Sequence, residues 1–337
     1  MIHIPEEIHN KTTFLTGSVK TISNTPCVVF EESRIDFLSD LSRSLLSKAN
    51  IREYPDVATF AFWCRKKNIY NLKKNFLSNE TRLGLGLIFH ITPSNIPTNF
   101  AYSLIFGLIT GNSNIVKVPS QKFEQVKIIC KAINKILKNK YKPIRKMISI
   151  VRYSNDDNYT KKISSICNAR LIWGGDNSIN NIRKFSLNQR ALDIAFTDRY
   201  SFCVINASEV LKLGINDTKR LAGKFYNDTY IVDQNACSSP HLILWLGKKV
   251  SKARTKFWKS LKEIVNEKYS LTEAASIEKY TRLCGHILNL KNMKNYERFD
   301  NSIYTISLKN LDKNMHNLRG KWGFFYEYEI NNLSKIK

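Results

Sequence analysis

From residue 83 onward, short apolar runs alternate with amphipathic stretches, and this alternation constrains the fold more than any other feature of the chain. Residues 83–91 form a continuous apolar run closed by Thr92-Pro93, the pattern of a strand buried on both faces. Residues 100–110 read as a helix stopped by Gly111-Asn112. Residues 114–118 are the next strand, and Pro119-Ser120 opens a helix whose apolar positions recur every three or four residues through 122–137. The order repeats with a strand at 147–151, a helix at 158–167, a strand at 170–173 and a helix at 177–184 after Gly174-Gly175-Asp176. Such alternation predicts a doubly wound parallel sheet with ligands at the carboxyl ends of its strands.

Upstream, residues 27–30 read as a strand and 34–50 as a helix. Downstream, 202–206 and 241–246 read as strands, 219–230 and 248–268 as helices, and the chain closes on an apolar, aromatic segment at 323–330. A chain of 337 residues exceeds one hydrophobic core, which predicts two domains, divided at residues 1–200 and 201–337.

The formal net charge is +25, from 53 Lys and Arg against 28 Asp and Glu. Lysine is spread through the whole chain beside abundant Asn and Ile, with no arginine-rich arm and no block of five cations, so the charge reads as compositional bias that also helps hold polyanionic ligands, in preference to a nucleic-acid footprint. Seven cysteines, at 27, 64, 130, 167, 203, 237 and 284, form no C-x-x-C pair and no cluster with histidine, which predicts reduced thiols and no metal. The opening residues lack a basic and then apolar leader, so a cytoplasmic location is expected. The most apolar segment, 83–109, carries Pro93, Asn95, Pro97 and Asn99 and reads as buried core, without a stable membrane anchor.

Three strings carry the chemistry in order along the chain. In Pro93-Ser94-Asn95-Ile96-Pro97, after the first buried strand, a side-chain amide can donate to a developing oxyanion, though an Asn between prolines can equally cap a turn. Lys117 ends a strand and precedes a helix, which sets an ammonium where a dinucleotide would lie; a solvated sheet-edge lysine is the plainer alternative. In Asp233-Gln234-Asn235-Ala236-Cys237 a thiol follows a polar turn, whereas the other cysteines lie mostly in apparent helices and strands. This ordered set resembles the aldehyde dehydrogenase superfamily. Within it, residues 89–97 and the closing Gly323-Phe324-Phe325-Tyr326-Glu327-Tyr328 are most similar to LuxC-type acyl-CoA reductases, over roughly residues 80–337.

The resemblance implies an aldehyde-dehydrogenase-like α/β fold, with a lead-in and Rossmann-like cofactor domain followed by a catalytic domain. It makes Cys237 the nucleophile and Asn95 its oxyanion donor. It places the cofactor on Lys117, Ser120 and the Gly174-Gly175 loop. NAD-preferring relatives commonly carry a glutamate where Ser120 stands, so NADPH is the expected cofactor. Hydrolytic relatives carry a glutamate base upstream of the cysteine; the matching place here is Ala195, which favours reduction of a coenzyme A or carrier thioester to aldehyde over hydrolysis. Asp198 is nearby but out of register.

A fatty acyl group and an acyl-activating partner protein are implied only by the resemblance. Relatives continue past the equivalent of Lys337, so the C-terminal part is expected to be incomplete, and homo-oligomers are expected only if that segment is present. Three other readings stay open on the residues: an oxidative aldehyde dehydrogenase, an inactive fragment, and a basic nucleic-acid-binding protein on the same fold.

Overall fold

The computed structural model describes residues 12–76, 81–154 and 157–335. Residues 1–11, which bear on the expected absence of a leader, lie outside that range. The chain divides into two compact units, Met1–Asp198 and Arg199–Lys337.

The first unit is built on a six-stranded sheet of order β1-β4-β3-β2-β5-β6. Its strands are β1 (Thr13–Thr16), β2 (Leu87–Ile91), β3 (Ser113–Lys117), β4 (Ile148–Arg152), β5 (Ala169–Gly174) and β6 (Leu192–Thr197). All pairs are parallel except β1 with β4. The helices α1 (Glu32–Leu46), α2 (Pro55–Trp63) and α3 (Lys66–Phe76) precede the sheet, and α4 (Asn99–Ile109), α5 (Glu124–Asn139), α6 (Lys142–Arg145), α7 (Asp157–Ile166) and α8 (Asp176–Arg183) connect its strands.

Strand alternation decides which layer each residue joins. Leu87, Phe89 and Ile91 of β2 pack with Tyr159 and Ile163 of α7 on one side of the sheet. On the other side, Val116 and Ile150 join Leu104 and Ile105 of α4, Ile129 and Ile133 of α5, and Leu38, Leu41 and Phe60 of the leading helices. The segment before the sheet therefore shares the core of the first unit, and each such fully buried side chain contributes roughly 1.5–3 kcal/mol. Tracing β2 to β3 to β4 moves outward on one side, while β5 and β6 lie on the other, which puts the topological switch at the carboxyl ends of β2 and β5.

One expectation fails here. Residues 27–30 are not a strand: Val28 makes a single bridge to Leu83, and Phe30 has φ +52°. The run is held as a loop instead, with Cys27 N–H donating to Gly111 O and Phe30 N–H to Ile109 O. Cys27 is thus a loop residue.

The second unit carries a five-stranded sheet of order β7-β8-β11-β10-β9, built from β7 (Ser201–Asn206), β8 (Pro240–Leu246), β9 (Met293–Phe299), β10 (Ile303–Leu308) and β11 (Phe324–Ile330). Only β9 runs antiparallel to its neighbour. Around it lie α9 (Ala207–Lys212), α10 (Ile215–Thr229), α11 (Val250–Lys268) and α12 (Glu273–Asn289). Phe225 of α10, Phe257 and Trp258 of α11, Trp245 and Phe325 form its aromatic core.

Glu327 is sunk in that core because it is fully answered. Trp245 Nε1 donates to it at 2.6 Å, Trp258 Nε1 at 2.9 Å and Arg254 Nη2 at 2.6 Å. The glutamate of the closing aromatic segment thus has a structural role; removing its partner Arg254 would leave a buried charge unpaired. Among the described residues no helix is long and apolar enough to cross a membrane.

Candidate active site

Five of the six site residues inferred from sequence come together on one sheet edge. Asn95 lies in the exposed loop after β2, Lys117 ends β3, Ser120 follows β3, and Gly174 and Gly175 follow β5. These are carboxyl ends of neighbouring parallel strands, with β2 and β5 flanking the switch point. Thr92 locks the two loops, its N–H and Oγ1 both donating to Lys117 O at 3.2 and 2.8 Å. The Lys117 ammonium stands 4.7 Å from the ring centroid of Tyr153, and Ser120 Oγ donates to Tyr153 O at 3.3 Å.

Gly174 and Gly175 are not demanded by the fold itself. A Cβ at Gly175 would meet nothing within 4 Å, and one at Gly174 would meet only Ser178 Cβ at 3.5 Å. Gly175 has φ −75°, ordinary for any residue. Glycines that neither the chain's conformation nor its packing requires leave backbone open to close approach from outside, and here they precede the N-terminus of α8. The residues present therefore fit a dinucleotide phosphate.

Behind this edge lies a buried chain of polar groups that sequence reasoning missed. His90 Nδ1 meets Ser103 Oγ at 2.7 Å, His90 Nε2 meets Asn114 Oδ1 at 2.9 Å, and Trp173 Nε1 donates to Ser103 Oγ at 3.2 Å. Asn114 Nδ2 donates to Asn112 O at 2.7 Å, so Oδ1 faces the imidazole and Nε2 carries the proton. Ser103 then donates to Nδ1. The chain ties α4, β2 and β3 to Trp173, the residue before Gly174.

Burial lowers the His90 pKa from 6.5 to about 4, against a smaller opposing contribution from Asn114. The neutral ring is the folded form. Between pH 6.5 and 4 the unfolded chain binds more protons, so this contribution, about 3 kcal/mol, is whole above pH 6.5 and is lost as pH falls toward 4. An NMR titration of the His90 ring should give a midpoint near 4; a midpoint near 6.5 would contradict the buried neutral assignment.

Cys237 is placed by the second unit. It is exposed, in the turn between α10 and β8. Its carbonyl accepts from Ser201 Oγ at 2.6 Å, and among the described residues its N–H donates to no backbone carbonyl. Around it, Ser239 N–H donates to Ala236 O at 2.9 Å and Asn235 N–H to Val232 O at 2.8 Å. Cys64, Cys130 and Cys167 are buried. Burial pushes the thiols of Cys130 and Cys167 up to about 12 and that of Cys64 higher still, which leaves them unreactive at neutral pH.

Ala195 lies in the interior of β6, opposite Ile172 of β5. A cavity of about 370 Å³ in the second unit opens at the carboxyl ends of β8, β11 and β10, among Arg254, Lys294, Lys309 and Glu329. Cys237 precedes β8 and so lies at the other end of that strand. Among the described residues no group of His, Cys, Asp or Glu could hold a metal ion.

Residues 61–317 match the family profile described as acyl-CoA reductase (LuxC). The structure is similar to lactaldehyde dehydrogenase, with TM-score 0.59 and 12% identity over 90% of this chain and 70% of that one. It is also similar to an oxidoreductase from Marinobacter aquaeolei, with TM-score 0.61 and 14% identity over 90% and 70%. An indole-3-acetaldehyde dehydrogenase complexed with NAD+ matches with TM-score 0.58 and 11% identity over 90% and 69%. At these identities the solved structures show a shared fold, that of the aldehyde dehydrogenases. No curated protein sequence matches the chain.

Proposed function

This chain belongs to the LuxC family of acyl-CoA reductases, and from that premise we propose that it reduces an acyl thioester to an aldehyde, with Cys237 taking the acyl group and NADPH as cofactor. Oxidoreduction at an acyl or aldehyde carbon is the chemistry of the family and of the fold. The observation that carries the finer reading is the contrast among thiols. Cys237 is exposed in a polar turn, whereas Cys64, Cys130 and Cys167 are buried.

In this reading the Cys237 thiolate attacks the thioester carbonyl and expels the coenzyme A or carrier thiol, leaving an acyl-cysteine. The side-chain amide of Asn95 and the N–H of Cys237 donate to the oxygen as it gains charge. Lys117, Ser120 and the open backbone at Gly174-Gly175 hold the dinucleotide. When bound, NADPH supplies the hydride that converts the acyl carbon to the aldehyde level. Cys237 then leaves as thiolate when the thiohemiacetal collapses. Ala195 offers no base to water, so the acyl-cysteine waits for reduction instead of hydrolysing. A fatty acyl group delivered by an acyl-activating partner protein suits the family.

Cofactor choice tests the reading at Ser120. No carboxylate stands there to repel a 2′-phosphate, and Lys117 adds attraction. A like charge placed at about 4 Å costs about 1 kcal/mol even in water, roughly fivefold. Ser120→Glu is expected to lower kcat/KM for NADPH at least that much relative to NADH. A wild-type enzyme that already prefers NADH would contradict the assignment.

A further inference from the structure

Two consecutive residues of the turn leading to Cys237, Asp233 and Gln234, have positive φ, +53° and +60°. For residues with a Cβ this left-handed geometry costs roughly 1–2 kcal/mol each, and glycine would relieve it. A side chain kept under that strain points to a task for the side chain. Gln234 is 1% exposed, and its amide is fully engaged. Nε2 donates to Pro240 O at 3.0 Å and to Phe324 O at 3.1 Å, while Oε1 accepts from Gly323 N–H at 3.2 Å. Its own N–H donates to Thr229 O at 2.7 Å.

The surface that receives this amide is shaped for it. A Cβ at Gly320 would sit 1.6 Å from Phe324 O and 3.2 Å from Gln234 Nε2. Lys279, wholly buried, fixes the same segment from behind, donating to Trp322 O at 2.7 Å, Asn301 O at 2.9 Å and Ser302 O at 3.1 Å. Trp322 N–H in turn donates to Asp233 O at 3.4 Å. The turn is thus pinned at its start by Asp233 and Gln234 and at its end by Pro240, with Cys237 between the pins.

We propose that Gln234 is the positioning residue of Cys237: its amide binds the turn to the segment before β11 and so sets the aim of the thiol during acyl transfer. This rests on the reading of Cys237 as nucleophile. Misplacing a reacting group by about 1 Å can cost 10²-fold, whereas alkylation of an exposed thiol by a small reagent makes no comparable demand on aim.

The test compares Gln234→Ala with wild type in the full chain by single-turnover acylation from acyl-CoA and by alkylation of Cys237 with iodoacetamide. Acylation is expected to slow about 10- to 100-fold while alkylation stays within about twofold. Should the alanine variant fail to fold, Gln234→Glu replaces it. That side chain keeps the acceptor for Gly323 N–H and loses both donors, so acylation should be slow at neutral pH and recover as the carboxyl takes up a proton and regains a donor. The recovery is read as a ratio to the wild-type rate at the same pH, so that the shared loss of Cys237 thiolate cancels. Acylation at the wild-type rate, parallel loss of acylation and alkylation, or no recovery at low pH in the glutamate variant would overturn the proposal. A Cys237→Ala control that still accepts label would instead refute the nucleophile reading, whatever Gln234 does.

Discussion

Replacing Cys237 with alanine is expected to lower aldehyde formation from acyl-CoA by at least about 10⁴-fold, because no second thiol can take over the covalent step. Cys130 and Cys167 are held far above neutral by burial. Cys237 is exposed, and substitutions at such sites usually change stability by no more than about 0.5 kcal/mol. The melting temperature should therefore hold while activity disappears, which separates lost chemistry from lost folding. Cys203→Ala should retain activity. If Cys237→Ala keeps wild-type turnover, the covalent route is wrong.

Asn95→Ala should lower kcat about 10²- to 10³-fold with little change in KM, the signature of a donor used only as charge develops on oxygen. Asn95 is exposed in the loop after β2, so the substitution should cost little stability. Steady-state kinetics with acyl-CoA decides the matter. A raised KM with kcat unchanged would place Asn95 in ground-state binding and leave the oxyanion to other donors.

The first unit was largely legible because its punctuation is local. Thr92-Pro93 ends β2, Gly111 with φ +80° ends α4, and the 3.6-residue pattern of α5 is uninterrupted. What escaped had weaker local signals. The sequence of β9, MKNYERF, is mostly polar and lies at a sheet edge, while β1 has four residues and finds its partner in β4. The run at 27–30 looked like a strand, yet contacts with Gly84 and Gly111, distant in sequence, hold it as a loop.

The candidate site divides in the same way. Cys237 stands out by its polar flanks, whereas the Gln234 amide acts through Gly323 and Phe324, 89 and 90 residues away, and no spacing rule connects them. His90 sat unremarked within an apolar run; its partners, Ser103 and Asn114, lie on the next helix and strand.

The most direct test of the central claim is a single-turnover chase of enzyme acylated with labelled acyl-CoA, with and without NADPH. The label should sit on Cys237 as a hydroxylamine-sensitive thioester, persist when cofactor is withheld because Ala195 supplies no base, and leave as aldehyde within one turnover when NADPH is added. Rapid loss of label as free acid in the absence of cofactor would contradict the account, by showing that another residue already activates water.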